Sequence, residues 1–429
     1  YLRIPLPKLL LRQTRQEIVL KTLRELRSVP HFYQLFLART ISNFGNGISP
    51  VALAFGVLGI AGADATSLSL VQFARTLPIL LLLFVGGTLA DKYGRARVMG
   101  MGDMLLSGLI LIIGISFILG WPSIWLLVVV GLLAGLLNGV WYPAFSGMIP
   151  IIVPEEKRQG ANAALGFGSN IAFMLGTVSG GIVVTTLGPG YALAVDALTF
   201  FIAGALVYPL RKLPQPGQAA EGESISFVQE LRLGWVEFKS RSWLVAIVVA
   251  FSFINAAAEG LWAVLGALQA AETYGNGPAV WSLLLGAMSI GFLLGTIVAN
   301  KMRPKHPLTI VMMLVLALPL FLVAYASGAP IWLVFLAAIA MGIAQDVFYV
   351  MWATVIQQNV PEDKLSRVNS YDTFGSFLIG PLGMLVAGPL AIVFGVSTTL
   401  LWAAAISFVA VVGALLVPSV RKLELRIHD

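Results

Sequence analysis

The chain has no cysteine, and among its 429 residues there are three histidines, His31, His306 and His428. Without thiols there are no disulfides, thiolate metal centres or cysteine nucleophiles, and three imidazoles so far apart in sequence cannot supply a metal cluster or a nucleophilic triad. Charge is scarce as well: Asp, Glu, Lys and Arg make up 11% of the residues, against about 25% in an ordinary soluble domain. What fills the sequence is apolar, 58% hydrophobic with mean hydropathy +0.89. This composition excludes a soluble globular enzyme and predicts no catalytic residues, no metal and no cofactor. The 27 Lys and Arg outnumber the 20 Asp and Glu, a net charge of +7, but their placement argues against a nucleic-acid partner.

Each bilayer crossing takes about 20 apolar residues. Apolar runs lie at 32–60, 67–90, 98–119, 123–148, 162–187 and 190–208, and again at 243–272, 280–300, 307–327, 331–357, 368–393 and 396–418. The expected fold is therefore all-α, a polytopic membrane protein with twelve transmembrane helices. Lys and Arg occupy one set of connectors: the tail from Arg3 to Arg27, Lys92/Arg95/Arg97, Lys157/Arg158, the 209–241 stretch, Lys301/Arg303/Lys305, Lys364/Arg367 and Arg421/Lys422/Arg426. The alternate connectors, near Asp64, Gly120, Gly188, Glu272, Ser327 and Val396, hold none. By the positive-inside rule the basic side, with both termini, is cytoplasmic. Leu9, Leu10, Ile18, Leu23 and Leu26 among Arg12, Arg15, Lys21 and Arg24 make the first segment an amphipathic surface helix or a plain topology-setting tail.

A repeat divides the chain. Val153-Pro154-Glu155-Glu156-Lys157, Asn162, Gly168-Ser169 and Gly176 return as Val360-Pro361-Glu362-Asp363-Lys364, Asn369, Gly375-Ser376 and Gly383, all 207 residues later. That offset spans six crossings, so the architecture expected is two pseudo-symmetric six-helix bundles in parallel orientation, with the substrate site between them. The expected domains are a cytoplasmic basic tail (1–30), a first bundle (31–208), a cytoplasmic linker (209–241), a second bundle (242–418) and a cytoplasmic tail (419–429).

Between the second and third runs stands Gly87-Thr88-Leu89-Ala90-Asp91-Lys92-Tyr93-Gly94-Arg95-Ala96-Arg97. It resembles the signature loop of the major facilitator superfamily, G-x-x-x-D-(R/K)-x-G-R-(R/K)-(R/K), with Ala96 departing at one basic position. A decayed second copy runs from Gly295 to Arg303, with Asn300 in place of the Asp. The V-P-E-E-K-R and V-P-E-D-K segments, and Gly176-Thr177-Val178-Ser179-Gly180-Gly181, are similar to the superfamily's bacterial macrolide and enterobactin exporter branch. Thr177 replaces that branch's motif proline, and the drug-antiporter arginine is missing from Leu136-Leu137-Asn138-Gly139. The resemblance implies that Gly87, Asp91, Lys92, Gly94, Arg95 and Arg97 form a conformational latch holding the halves together on the cytoplasmic side.

It also implies that the first, fourth, seventh and tenth spans line a central cavity. Halfway along them lie Asn43 and Asn46, Asn138, Asn255 and Glu259, and Gln345 and Asp346. Polar groups at that depth need water, a ligand or one another. The expected substrate-binding set is Asn43, Asn46, Asn138, Trp141, Tyr142, Asn255, Trp262, Gln345 and Phe348; structural hydrogen bonding is the plain alternative for each amide. Glu259 and Asp346 are the expected proton carriers, since an ionised carboxylate in hydrocarbon is unfavourable unless solvated or paired. Arg39 and Arg75 are intramembrane charges, Arg39 able to snorkel and Arg75 in need of a partner. Asp103 and Asp372 read as helix-dipole or loop partners, and Asp196 has no partner that sequence can name. Gly131/Gly135 and Gly291/Gly295 are expected to let the halves slide.

The expected function is export of a hydrophobic or amphipathic small molecule, a drug, antibiotic or siderophore, by proton antiport with alternating access in a bacterial inner membrane. The partners are that small molecule, the lipid bilayer and the proton gradient, with the protein acting as a monomer. The alternatives are import or facilitated diffusion of a metabolite or lipid, and a non-transporting scaffold or receptor.

Overall fold

The computed structural model describes residues 26–82, 85–213 and 227–424. Most of the amphipathic tail, the centre of the linker and the last five residues lie outside this range. Within it the chain folds into twelve helices long and apolar enough to cross a membrane: α1 (Phe32–Leu58), α2 (Ala65–Leu82), α3 (Arg95–Ile118), α4 (Ile124–Ile152), α5 (Glu155–Leu187), α6 (Pro189–Lys212), α7 (Ser242–Tyr274), α8 (Gly277–Lys301), α9 (Pro307–Ala326), α10 (Ile331–Asn359), α11 (Arg367–Phe394) and α12 (Val396–Leu416). Helix is the expected outcome for so apolar a chain, because each backbone polar group finds its partner inside its own segment.

The boundaries follow local chemistry. α5 begins seven residues before the apolar run, since Pro154 starts it and Glu155 and Glu156 occupy its first turn, where the helix dipole favours negative charge. The repeat is visible in the backbone itself. Pro154 and Pro361 precede their helices at φ −55° and −56°, and Gly188 and Gly395 make the opposite turns at φ 92° and 85°, a region that favours glycine.

The two bundles pack by the same rules. In the first, α5 lies directly on α1, with Gly176 against the Phe44 carbonyl and Gly180 against Ile48. In the second, α11 lies on α7, with Gly383 against the Ala256 carbonyl and Gly260 against Gly383. Small residues at these crossings let backbones touch, which is what holds helices together where lipid removes the hydrophobic drive. Gly131 and Gly135 meet Val71, Arg75 and Pro78 of α2, and Gly291 and Gly295 meet Ile339, Gly342 and Ile343 of α10. Those four glycines therefore seat helices within a bundle, and do not form the sliding surface between bundles expected from sequence.

The bundles meet through α5 with α8 and α2 with α11. A Cβ on Gly181 would overlap Ser282, and one on Gly388 would overlap Ala65 and Thr66. Gly388 is Gly181 displaced by one repeat. All these contacts lie toward the face with no Lys or Arg. There Ile48, Leu53 and Leu68 share one buried core with Leu261, Leu284 and Phe321. Toward the basic face the cores separate: Phe32, Leu35, Met99 and Met148 form one, Ile247, Phe251, Val355 and Ile356 another. The molecule is closed at its uncharged face and divided at its basic face.

Candidate substrate cavity and charged pockets

A cavity of about 320 Å³ lies wholly inside the second bundle. Its wall is apolar apart from Asn255 and Gln345. Phe251 and Phe348 stack at 4.0 Å between centroids and form its end toward the basic face. Trp262, edge-on to Phe321 at 5.0 Å, forms the other end and rests against Trp281 at 4.6 Å and Tyr325 at 5.3 Å. That end is fixed by polar ties: Tyr325 Oη donates to the Gly266 carbonyl at 2.5 Å, and Gln269 Nε2 donates to the Tyr325 carbonyl at 3.2 Å. Volume and lining suit a small, largely apolar ligand held by one or two hydrogen bonds.

α7 changes its winding beside this cavity. Asn255–Gly260 is a π-helical turn, a wide turn often found at functional positions. Asn255 enters the cavity wall while its Nδ2 donates to the Ser376 carbonyl of α11 at 2.9 Å. Glu259 is in the same turn, and its side chain lies outside the described residues. Asn255 also borders a second space of about 190 Å³ between the bundles, lined from α2 by Thr76, Ile79 and Leu80 and from α11 by Thr373 and Phe377.

The first bundle holds a different site. A pocket of about 40 Å³ is lined by Asn46, Ser49, Arg75 and Asn138 among apolar side chains. Asn138 also donates to its own helix, at the Ala134 carbonyl, 2.9 Å. Asp196 of α6 is completely buried nearby, with Arg75 as its charged neighbour and Ser49 as the adjacent hydroxyl.

Nearer the basic face Arg39 lies 4.6 Å from the centroids of both Trp141 and Phe145, which stack at 5.4 Å. Such a cation–π pair contributes about 0.5–2 kcal/mol once desolvated. Asp103, 2% exposed, faces the same Arg39 and the Trp141 indole. Arg39 is thus drawn inward onto these rings, with its Nε buried and the residue as a whole half-buried, and is not extended toward the membrane surface.

The polar residues expected in one ring are divided by this arrangement. Asn255, Trp262, Gln345 and Phe348 share the large cavity; Asn46 and Asn138 share the small pocket. Asn43 lines neither, donating to the Arg39 carbonyl at 2.8 Å and to Ser169 Oγ at 3.2 Å. Trp141 is buried against Arg39, while Tyr142 is 55% exposed. Asp346, next to Gln345, turns behind the cavity wall, where Thr296 Oγ1 of α8 donates to its Oδ2 at 2.7 Å. Asp103, expected as a helix-dipole or loop partner, is instead buried beside Arg39, and Asp196, for which the sequence named no partner, has Arg75 and Ser49 as neighbours from other helices. Asp372 accepts from Trp352 Nε1 at 2.9 Å, a side-chain partner in place of the expected helix end.

In the signature loop, the short helix Gly86–Tyr93 packs on α4, as α2 does, and Gly94 turns the chain at φ 88°. Gly87 packs loosely near Pro143. Arg95 Nε donates to Asp91 Oδ1 at 2.7 Å and Arg95 Nη1 to the Gly147 carbonyl of α4 at 2.6 Å. Lys92 lies 5.5 Å from the Tyr93 ring centroid, and Arg97 is exposed. These contacts are all within the first bundle.

Known proteins resemble this chain along most of its length. The chain is 27% identical over 402 residues to the multidrug efflux pump Tap of Mycolicibacterium fortuitum, covering 91% of this chain and 96% of that one. It is 24% identical to the enterobactin exporter EntS of Salmonella typhi, over 84% of this chain and 87% of that one. The crystal structure of the nucleoside transporter NupG has the same fold, with TM-score 0.71 at 16% identity, covering 90% of this chain and 98% of that one. Residues 23–425 match the family described as transmembrane secretion effector, so the chain is a twelve-span membrane transporter belonging to that family of the major facilitator superfamily.

Proposed function

We propose that the protein exports a hydrophobic or amphipathic small molecule, of the drug, antibiotic or siderophore kind, by proton antiport and alternating access. The observation that carries this reading is the apolar cavity of about 320 Å³ with its Asn255 and Gln345 pair. Trp262 and Phe348 supply the stacking surfaces, and the two amides fix orientation. Efflux by the relatives Tap and EntS supports the direction.

The basic face is cytoplasmic on the positive-inside argument, which places both termini inside the cell. The conformation, closed at the uncharged face and divided at the basic one, is then the inward-open state from which an exporter loads. The latch reading fits the same state: Asp91 and Arg95 are held within the first bundle, ready to engage the second when the basic face closes. Asp346, one residue from the cavity-lining Gln345, and Glu259 of the π-turn are the coupling carboxylates of the second bundle. A transmembrane potential of 100 mV supplies about 2.3 kcal/mol per charge, enough to bias the exchange.

Purified protein in vesicles of known orientation, with an imposed pH gradient and a panel of lipophilic antibiotics and siderophores, tests the reading. Accumulation on the acidic side, lost in Asp346→Asn, is expected. Movement of the same compounds toward the alkaline side, or equilibration indifferent to the gradient, would replace export by import or facilitation.

A further inference from the structure

Asp196 has a setting that transport by the second bundle leaves unexplained. It is 0% exposed, and the Ser49 hydroxyl beside it is the one neutral donor within reach of its carboxylate, neither oxygen of which makes a well-formed hydrogen bond among the described residues. Its Oδ1 lies so close to the Gly45 backbone of α1 that a Cβ there would overlap it and Thr199 Oγ1. The Thr199 hydroxyl is already committed, donating to the Asp196 carbonyl at 2.7 Å. A carboxylate so poorly supplied with donors in such surroundings is unfavourable, whereas the neutral acid fits.

The surroundings supply one countercharge. α2 presents Arg75; α1 presents Ser49 and, nearer the basic face, Arg39. α3 presents Asp103, occupied with Arg39, and Ser107, whose hydroxyl donates to the Ala197 carbonyl at 2.7 Å. α5 has no ionisable residue between Arg158 and its end. Arg75 lines the 40 Å³ pocket with Asn46, Ser49 and Asn138, and its guanidinium makes no ion pair among the described residues. A pocket of that size and polarity holds one to a few waters.

We propose that Asp196 is a proton-carrying site of the first bundle, exchanging its proton past Ser49 with water in the Asn46–Arg75–Asn138 pocket and pairing with Arg75 when deprotonated. In the exchange the Asp196 O–H bond breaks and the proton passes to a water oxygen. The negative charge stays on the carboxylate and is compensated by the Arg75 guanidinium. A proton on Asp196 then sits in the bundle that does not hold the cargo, in addition to the Asp346 and Glu259 positions of the second, so the Asp196–Arg75 charge state biases the fit of the first bundle against the second. This consequence for transport rests on the export reading; the protonation does not.

Infrared spectroscopy of the purified, ligand-free protein separates the two. The wild type should show a protonated-carboxyl carbonyl band that disappears as pH rises; Asp196→Asn should lose that component, while Asp103→Asn and Asp346→Asn keep it. Arg75→Gln should hold the band to higher pH. A spectrum unchanged by Asp196→Asn, or an Asp196 band that persists at every pH, would overturn the proposal whatever the transport assay reports. In vesicles, Asp196→Asn should retain exchange of the dye Hoechst 33342 between equal pH compartments and lose accumulation driven by a pH gradient. Gradient-driven accumulation at the wild-type level in that variant would also overturn it. No Hoechst movement in the wild type, with the infrared result intact, would count against the export reading alone.

Discussion

The backbone N–H of Gly388 donates to Ser69 Oγ at 2.7 Å, a buried hydrogen bond between α11 of one bundle and α2 of the other. One repeat earlier Gly181 of α5 sits against Ser282 of α8. The two arms of the closed face thus set repeat-related glycines of α5 and α11 against serines of α8 and α2.

Bulk at either arm should open this face. Gly388→Leu or Gly181→Leu forces an overlap whose cost is typically about 1–3 kcal/mol, which shifts the balance between conformations roughly 5- to 150-fold. The native chain has no cysteine, so a single cysteine at Ser282 or Ser69 can be labelled without background. Maleimide modification from the uncharged face should rise sharply in the Leu variant at the opposite arm and stay low in the parent.

The Asp91–Arg95 pair should matter for cycling and little for the stability of the present state. Asp91 is 56% exposed, and exposed pairs contribute about 0–1 kcal/mol. Asp91→Asn is expected to leave the melting temperature nearly unchanged and ligand binding intact while slowing transport at least tenfold. A matching loss of binding would place its role elsewhere.

Within the large cavity, Gln345→Leu removes one hydrogen-bonding group. Ligands that use it should bind about 3- to 10-fold more weakly, from a net contribution near 0.5–1.5 kcal/mol, and purely apolar ligands should bind as before. Ala344→Phe, which fills the space, should abolish binding of both. Titration calorimetry against a matched pair of ligands distinguishes these outcomes.

The linker helix Phe227–Lys239 docks on the basic face through Glu237, which accepts from Arg241 Nη1 at 3.0 Å and pairs with Lys364. Trp235 and Phe238 pack on Tyr371. The Lys364 and Arg241 cations hold the Glu237 carboxyl below the usual glutamate range. A lowered value means the contribution is present at neutral pH and lost as pH falls through it. Hydrogen exchange of this helix, corrected for intrinsic rates, should quicken about two- to fivefold on acidification. Glu237→Gln should show the faster exchange at neutral pH and no further acid effect.

Spans, repeat and signature loop were legible because each is written in neighbouring residues: apolar runs, a constant 207-residue offset, glycine and charge at fixed positions. Depth was legible too, since Asn138, Asn255 and Gln345 do lie midway along their helices. Direction was not. Asn138 and Trp141 are three residues apart, yet one lines a pocket and the other is enclosed with Arg39 of α1. Which side of a helix faces its neighbours depends on the rotation set by glycine crossings such as Gly135 on α2, and these are tertiary. Asp196 shows the same limit: the sequence named no partner for it, and only the packing of α6 on α1, with a pocket shared with α2, identified Ser49 and Arg75.

Because the large cavity is bounded by α7 to α11 alone, its occupant has no need to be handed from one half of the molecule to the other. A rocking motion that keeps each half rigid would leave every wall of that chamber in place and change only which end the opposing half covers. The cargo would travel as a passenger in one carriage, and its affinity would be nearly equal before and after the swing, so the work of each cycle would fall on the shutter and little of it on the seat.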